Sequence, residues 1–286
     1  MNQESKVIAC IDVNDGGVSA TDHAAWAAQR LSLELELLHI IERHPSLTEE
    51  QDHSGTLELN AQESLMEKFT SAEEARSRTE RELARQLLSE LRHRALAFEP
   101  PAVDVRLRHG DLEETIESHA AHVNLLVIGR NSQAEQTGRI GQHVEWLVRL
   151  AKRPTLVVGP KFQPPERVVL AFDGSSAMRQ KVLNWVADPL LRGVHVHVIV
   201  VGKDVAKAQS VCTWATSSLQ SQQVAVTSEV ATTTPVQAIL QSVGDHDANW
   251  VVMGAYSHAW WKRWFVQSNT DLLLKALGVT AYLIPA

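Results

Sequence analysis

Two loops of the chain combine a glycine with small polar side chains and then lead into a predicted helix. A glycine-bearing loop before a helix amino terminus suits anion binding, because free backbone amides point outward there. The sequence therefore predicts an anion-binding arrangement in each loop. The candidate residues are Gly129, Arg130, Ser132 and Gly141 in the first loop and Gly254, Ser257 and Ser268 in the second.

A carboxylate follows an apolar segment earlier in each half of the chain. Asp12 ends the segment KVIACID, and Asp173 ends RVVLAFD. Ligands of doubly wound sheets bind beyond the carboxyl ends of the strands, at the switch point of the strand order. We therefore expect each aspartate to face the loop of its own half. The run Asp-Gly-Ser-Ser from Asp173 also suits the N-cap of a helix, and the two interpretations are compatible.

These residues must be positioned by a sheet, because short β-branched segments recur in the same order in both halves. The pairs are KVIACID with RVVLAFDGS, VNLLVIG with ANWVVMG, and RPTLVVGP with VTAYLIPA. Strands alternating with helices predict an α/β fold of two tandem doubly wound (Rossmann-like) domains, each a five-stranded parallel sheet flanked by helices. The predicted strands lie near 6–12, 34–41, 103–109, 124–129 and 154–158, and near 167–173, 194–201, 223–231, 249–254 and 279–284.

We expect the domain boundaries at residues 1–160 and 165–286, separated by the proline-rich linker 160–166. The first half carries an insertion near 44–78. A long amphipathic helix is predicted over 71–97, where Ser71 and Glu74 have the spacing of a capping box. The last strand of each half exposes unpaired amides, so we predict that the two final strands pair within one chain, as in a dimer. Association of two chains into a homodimer stays open.

Taken together, the motifs resemble the universal stress protein family in its tandem form. The resemblance covers essentially the whole chain and is carried by VVLAFDGSS, LLVIGR, RPTLVV and VVMGAYSHAWWKRW. It implies a cytoplasmic, non-enzymatic stress-response factor that acts by binding a small ligand or a partner protein. ATP-binding members of the family carry Gly-x2-Gly-x9-Gly-Ser/Thr after the fourth strand, and their first-strand aspartate helps to hold the nucleoside.

Both loops depart from that ATP pattern. In the first, Ser132 stands at the second glycine position, and the loop reaches Gly141 one residue early and lacks the final hydroxyl. In the second, Ser257 and Gln267 replace two glycines, while Ser268 keeps the hydroxyl. We therefore expect ATP binding to be weak or absent, with the second half less impaired. Two alternatives stay open: an ATP-binding member with slow or no hydrolysis, and a ligand-free interaction scaffold.

Histidines offer a competing kind of site. His195 and His197 alternate with apolar residues in a predicted strand and therefore share one face. A metal site would need at least one further ligand, and none is evident nearby, so we predict partly exposed sheet histidines and no metal. His258 lacks an identifiable general-base partner, and we expect no catalysis there. Cys10 is expected to be an inert buried side chain.

The segment that follows Gly254 concentrates aromatic residues. Trp260, Trp261 and Trp264 lie within five residues, with two basic residues between them. Three interpretations compete: the lid of an apolar ligand pocket, a buried contact between halves or between chains, and a membrane-surface anchor. The buried contact is favoured, and the anchor ranks last because such anchors are normally longer amphipathic helices.

Composition narrows the function classes. The chain of 286 residues has a net charge of −7 and two cysteines, so we expect neither a nucleic-acid-binding face nor a disulfide framework. No apolar run approaches the roughly 20 residues that span a bilayer, and the polar amino terminus predicts a cytoplasmic protein without membrane association. Hydrolase and P-loop motifs (GxSxG, HExxH, GxxxxGK[ST]) are absent from the sequence, which argues against an enzyme.

Overall fold

The computed structural model describes residues 5–11, 16–41, 59–110, 112–119, 122–129, 152–255, 273–274 and 276–285. Within these ranges, ten strands form one continuous sheet. The first half contributes β1 (Lys6–Cys10), β2 (Glu34–Ile41), β3 (Val103–His109), β4 (Val123–Gly129) and β5 (Thr155–Val158). The second half contributes β6 (Arg167–Ala171), β7 (His195–Val201), β8 (Val226–Ala231), β9 (Trp250–Ala255) and β10 (Thr280–Pro285).

Helices alternate with these strands, as a parallel sheet requires. The first half has α1 (Gly16–Leu31), α2 (Leu59–Leu96) and α3 (Leu112–His119). The second half has α4 (Ser176–Leu183), α5 (Val205–Gln220) and α6 (Pro235–Asp245), with a 3-10 turn over Trp185–Ala187. None of the helices in the described ranges combines the length and the apolar character needed to cross a bilayer.

The sheet repeats one strand order in both halves. The order is β3-β2-β1-β4-β5 followed by β10-β9-β6-β7-β8, so the two halves meet edge to edge at β5 and β10. Described neighbours are parallel except β5 and β10, which are antiparallel, with Ala281 opposite Val157. The predicted pairing of the two final strands within one chain is therefore confirmed, as is the predicted α/β fold.

Aromatic side chains fill the junction between the halves. Trp26 of α1 meets Trp250 of β9 edge-on, with ring centroids 5.6 Å apart, and Phe162 of the linker packs against His23 at 4.9 Å. The His23 imidazole also lies 3.0 Å from the Thr280 hydroxyl through Nε2. Residues of both halves thus contribute to one buried cluster, which joins the two halves of the sheet through side chains as well as strands.

The linker is held against the second half. The Asn249 side chain donates to the carbonyl of Pro164 at 2.7 Å and accepts from the amide of Glu166 at 3.0 Å. The Trp250 indole donates to the carbonyl of Gln163 at 2.9 Å. These contacts supply partners to a segment whose prolines remove backbone donors.

The predicted start of the long helix is wrong. Helix α2 begins at Leu59, so Ser71 lies inside it and does not cap it. The upstream sequence LNAQESLMEKF consists largely of strong helix formers, which carry the helix past a local capping pattern. The insertion near 44–78 is therefore helical from residue 59 onward, whereas residues 42–58 lie outside the described residues. The domain boundaries at 1–160 and 165–286 stay a prediction.

Candidate functional site

The structure brings together two of the predicted site residues in the second half. Asp173 lies just beyond β6 and Gly254 lies near the end of β9, its paired neighbour. Since β6 pairs with β9 on one side and β7 on the other, this edge is the switch point of the strand order. A Cβ at Gly254 would lie 3.9 Å from Asp173 Oδ2, so the aspartate lies beside this end of β9.

Some of the other candidate residues lie within the described residues, and the rest lie outside them. Gly129 lies at the end of β4, at the corresponding switch point of the first half. Several residues lie outside the described residues, and their placement stays a prediction. They are Asp12, Arg130, Ser132, Gly141, Ser257, His258, Trp260, Trp261, Trp264 and Ser268.

Helix α4 begins beside Asp173. The Ser175 side chain accepts a hydrogen bond from the amide of Met178, at 3.4 Å, and caps the helix. Asp173 Oδ1 accepts from the amide of Ser175 at 2.9 Å, which leaves Oδ2 as the oxygen nearer Gly254. The N-cap interpretation is therefore confirmed, with Ser175 as the cap and Asp173 bracing it.

A glycine at the end of β4 and one just before the end of β9 both have a packing role. A Cβ at Gly129 would lie 2.8 Å from the backbone oxygen of Gly16 in α1. A Cβ at Gly254 would lie 3.0 Å from Met178 Cγ in α4. At Gly129 the backbone of α1 leaves room only for a residue without a side chain, whereas at Gly254 the neighbour is a flexible side chain of α4 that packs closely. Both glycines are thus explained by packing even without a bound phosphate.

An aromatic stack borders Asp173. Phe172 and Trp214 of α5 lie parallel, with centroids 5.7 Å apart, and the Arg179 guanidinium lies 4.3 Å from the Trp214 ring centre. Arg179 also donates to the carbonyl of Gly174 at 2.9 Å, which ties α4 to the turn after β6. The sequence did not point to Trp214, because only tertiary packing brings α5 next to the end of β6.

A separate open cavity of about 510 Å³ lies between α4 and the strands that join the two halves. Its polar centre is Asp188, which pairs with the Lys181 ammonium and accepts from the Tyr282 hydroxyl at 3.2 Å. Burial raises the pKa of Tyr282, and the nearby Asp188 carboxylate raises it further, so the phenol stays a neutral donor. Neither Asp173 nor Gly254 lines this cavity.

The structure corrects the prediction for the β7 histidines. His195 is exposed, but His197 is buried, with 7% of its surface accessible. His197 Nε2 lies 3.4 Å from Glu229 Oε1, and its ring stacks on that of His246 with centroids 3.6 Å apart. The expectation of a partly exposed histidine without further ligands nearby is therefore wrong for His197. Glu229 and His246 were missed because their proximity depends on the β7–β8 register and on where α6 ends.

Comparison with known proteins gives consistent matches. The model of the universal stress protein family matches residues 5–159. The universal stress protein Slr1230 of Synechocystis sp. is 23% identical over 279 residues, covering 96% of this chain and 97% of that protein. A crystal structure of a universal stress protein from Archaeoglobus fulgidus has a TM-score of 0.67 at 16% identity, covering 99% of this chain and 97% of that one. A protein of unknown function from Pseudomonas aeruginosa has a TM-score of 0.57 at 17% identity, covering 99% and 94%.

Proposed function

Because this chain belongs to the universal stress protein family, we propose that it is a non-enzymatic stress-response factor that binds a small ligand in its second half. Membership supports the stress-response role, and the chemistry of the site supports ligand binding without catalysis. The observation that carries the proposal is the position of Asp173 Oδ2 beside Gly254, at the switch point of the strand order in the second half.

The ligand that fits this site is nucleoside-like. A carboxylate accepts hydrogen bonds only, so Asp173 selects a group that donates, such as the hydroxyls of a sugar. The side chain that covers Gly254 is that of Met178, a flexible thioether that can move to admit a ligand to the strand end. The neighbouring Arg179 guanidinium lies over the Trp214 ring and borders this side of the site.

Phosphate contributes little to the binding that we propose. Ser257 and Gln267 replace two glycines of the ATP pattern. A side chain where the backbone must approach phosphate costs about 1 kcal/mol or more at each position. Two such positions lower the affinity roughly thirty-fold. ATP and adenosine should therefore bind this protein with similar, weak affinity.

The direct test is isothermal titration of the full chain with adenosine and with Mg-ATP. We expect weak binding of both, at similar affinity, and at least a tenfold loss in Asp173→Asn. Asparagine keeps the acceptor for the Ser175 amide, so helix α4 should still begin normally. Asp245→Asn, an exposed carboxylate of α6, is the matched control and should change neither affinity.

Two outcomes would replace the proposal by its alternatives. Low-micromolar ATP affinity that is far tighter than adenosine affinity would favour an ATP-binding member, and release of phosphate would show hydrolysis. No binding of either compound, with no small molecule in the mass spectrum of the purified protein, would favour a ligand-free scaffold.

A further inference from the structure

We propose that the second half binds one divalent transition metal ion, of the zinc type, through His197, Glu229 and His246. One ligand atom from each of these residues lies within 4.8 Å of the other two. Two imidazole nitrogens and one carboxylate oxygen are a donor set that zinc binds in proteins, with the fourth position left for water. This site lies apart from Asp173 and does not depend on the proposed nucleoside-like ligand.

Three different elements supply the ligands. In the parallel pairing of β7 with β8, His197 lies opposite Thr227, and Glu229 follows two residues later, so its side chain points to the same face. His246 is the C-cap of α6, and its amide bonds to the carbonyl of Ser242 at 3.2 Å. A bound ion would therefore connect two strands to the end of the helix that covers them.

The hydrogen bonding of His197 prepares one nitrogen for a metal. Its Nδ1 lies 2.8 Å from the hydroxyl of Thr227. When Nδ1–H donates to that oxygen, Nε2 presents its lone pair, the arrangement that orients most metal-binding histidines. Nε2 is buried and forms no hydrogen bond with any residue that the structure describes. Its nearest polar neighbour is Glu229 Oε1 at 3.4 Å, and a metal ion between the imidazole lone pair and the carboxylate would satisfy both.

The charges around the cluster favour a cation. Glu229 is half-exposed and provides the negative charge that balances part of the ion's charge.

The test uses the full untagged chain, stripped with a chelator and titrated with Zn²⁺ by calorimetry. We expect one ion per chain at micromolar affinity or tighter. Co²⁺ should give the visible absorption of a four- or five-coordinate ion. His197→Gln, Glu229→Gln and His246→Gln should each weaken Zn²⁺ binding more than tenfold. Thr227→Val should weaken it about 10–100-fold through the orientation of His197.

Two controls separate metal binding from folding. His195→Gln changes an exposed histidine two residues from His197 on the same face and should leave Zn²⁺ affinity unchanged. His197→Glu combined with Glu229→Arg installs the residue pair that the first half carries at the equivalent positions, and it should fold without binding Zn²⁺. Zn²⁺ affinity that is weaker than millimolar, or that is equal in this double variant, would overturn the proposal. Equal losses in His195→Gln and His197→Gln would also overturn it.

Discussion

The two halves of the molecule use the same buried sheet position in opposite ways. Glu36 of β2 pairs with Ile8 of β1 just as His197 of β7 pairs with Val169 of β6. In the first half, Arg106 lies on the neighbouring strand β3, two residues after the residue that faces Glu36. Glu229 stands at the equivalent place in the second half. The basic and acidic members of the pair have therefore exchanged strands.

The exchange changes what each half can do. In the first half, the buried Glu36 carboxylate lies 3.3 Å from Arg106 Nε and 3.5 Å from Lys6 Nζ, so cations of the protein itself neutralise it. In the second half, the His197 imidazole faces the Glu229 carboxylate, and one ligand atom of each lies within 4.8 Å of one from His246. The same backbone arrangement thus holds a compensated ion pair in the first half and the proposed metal ligands in the second half.

The largest effect should come from removing the cations around Glu36. Lys6→Met combined with Arg106→Leu leaves a carboxylate that is 1% exposed without compensation. Breaking a buried ion pair in this way costs about 3–5 kcal/mol, which urea unfolding would measure. Adding Glu36→Met should restore most of the loss, because apolar replacement of a whole buried pair is close to neutral. A double variant as stable as the wild type would show that Glu36 is not a charged partner in the folded state.

The next largest effect should come from substituting Gly129 and Gly254, the glycines at or near the ends of β4 and β9. Gly129→Ala should destabilise the chain by about 1–3 kcal/mol, since the new methyl group meets the Gly16 backbone at 2.8 Å. Gly254→Ala should cost less, because it meets the flexible side chain of Met178 at 3.0 Å. Thermal unfolding of both variants measures the difference. Equal losses would mean that the halves pack equally tightly here.

A pH effect should belong to the second half. Burial lowers the pKa of His197 in the folded state below its ordinary value of 6.5. The unfolded chain then takes up a proton more readily, so stability is complete above pH 6.5 and decreases as the pH falls towards the folded pKa. Urea unfolding of the metal-free chain at several pH values should show this decrease, and His197→Gln should reduce it. His195→Gln, the exposed control, should leave it unchanged.

The smallest effect concerns thiol reactivity, which should be low in both halves. Burial raises the pKa of the Cys10 thiol to about 12, so almost no thiolate exists at neutral pH. Cys212 of the second half is buried, with 1% of its surface exposed. Iodoacetamide should therefore label neither cysteine in the native chain and both in urea, as mass spectrometry would show. Cys10 is partly exposed rather than buried as expected, so rapid native labelling there would mean that its thiol is more acidic than this environment implies.

The sequence predicted the sheet well because buried parallel strands have a strong local signature. The predicted ranges 34–41 and 103–109 coincide with β2, a largely buried and mostly apolar run, and with β3, in which apolar and polar residues alternate. The start of α2 could not be predicted so well. A capping pattern at Ser71 is a local signal, and it does not reveal that helix formers upstream already continue the helix.

The candidate sites show the same division between local signals and long-range geometry. Asp173 and Gly254 could be predicted as neighbours, because the strand order alone places the ends of β6 and β9 together. The cluster around His197 could not be predicted in this way. It depends on a strand register and on the end of a helix about fifty residues away in sequence, and neither leaves a spacing pattern. The internal repeat held a usable signal, since Glu36 and Arg106 occupy the same two positions.

The antiparallel contact between β5 and β10 also affects how the protein can evolve. Contacts of this kind join two identical subunits about a two-fold axis. In a homodimer encoded by a single-domain gene, a mutation of the buried acid would appear on both sides of the axis at once. Fusion of two copies into one reading frame removes that obligation, because each copy then accumulates mutations separately. One copy can keep a stable buried ion pair while the other copy gains new chemistry at the equivalent position.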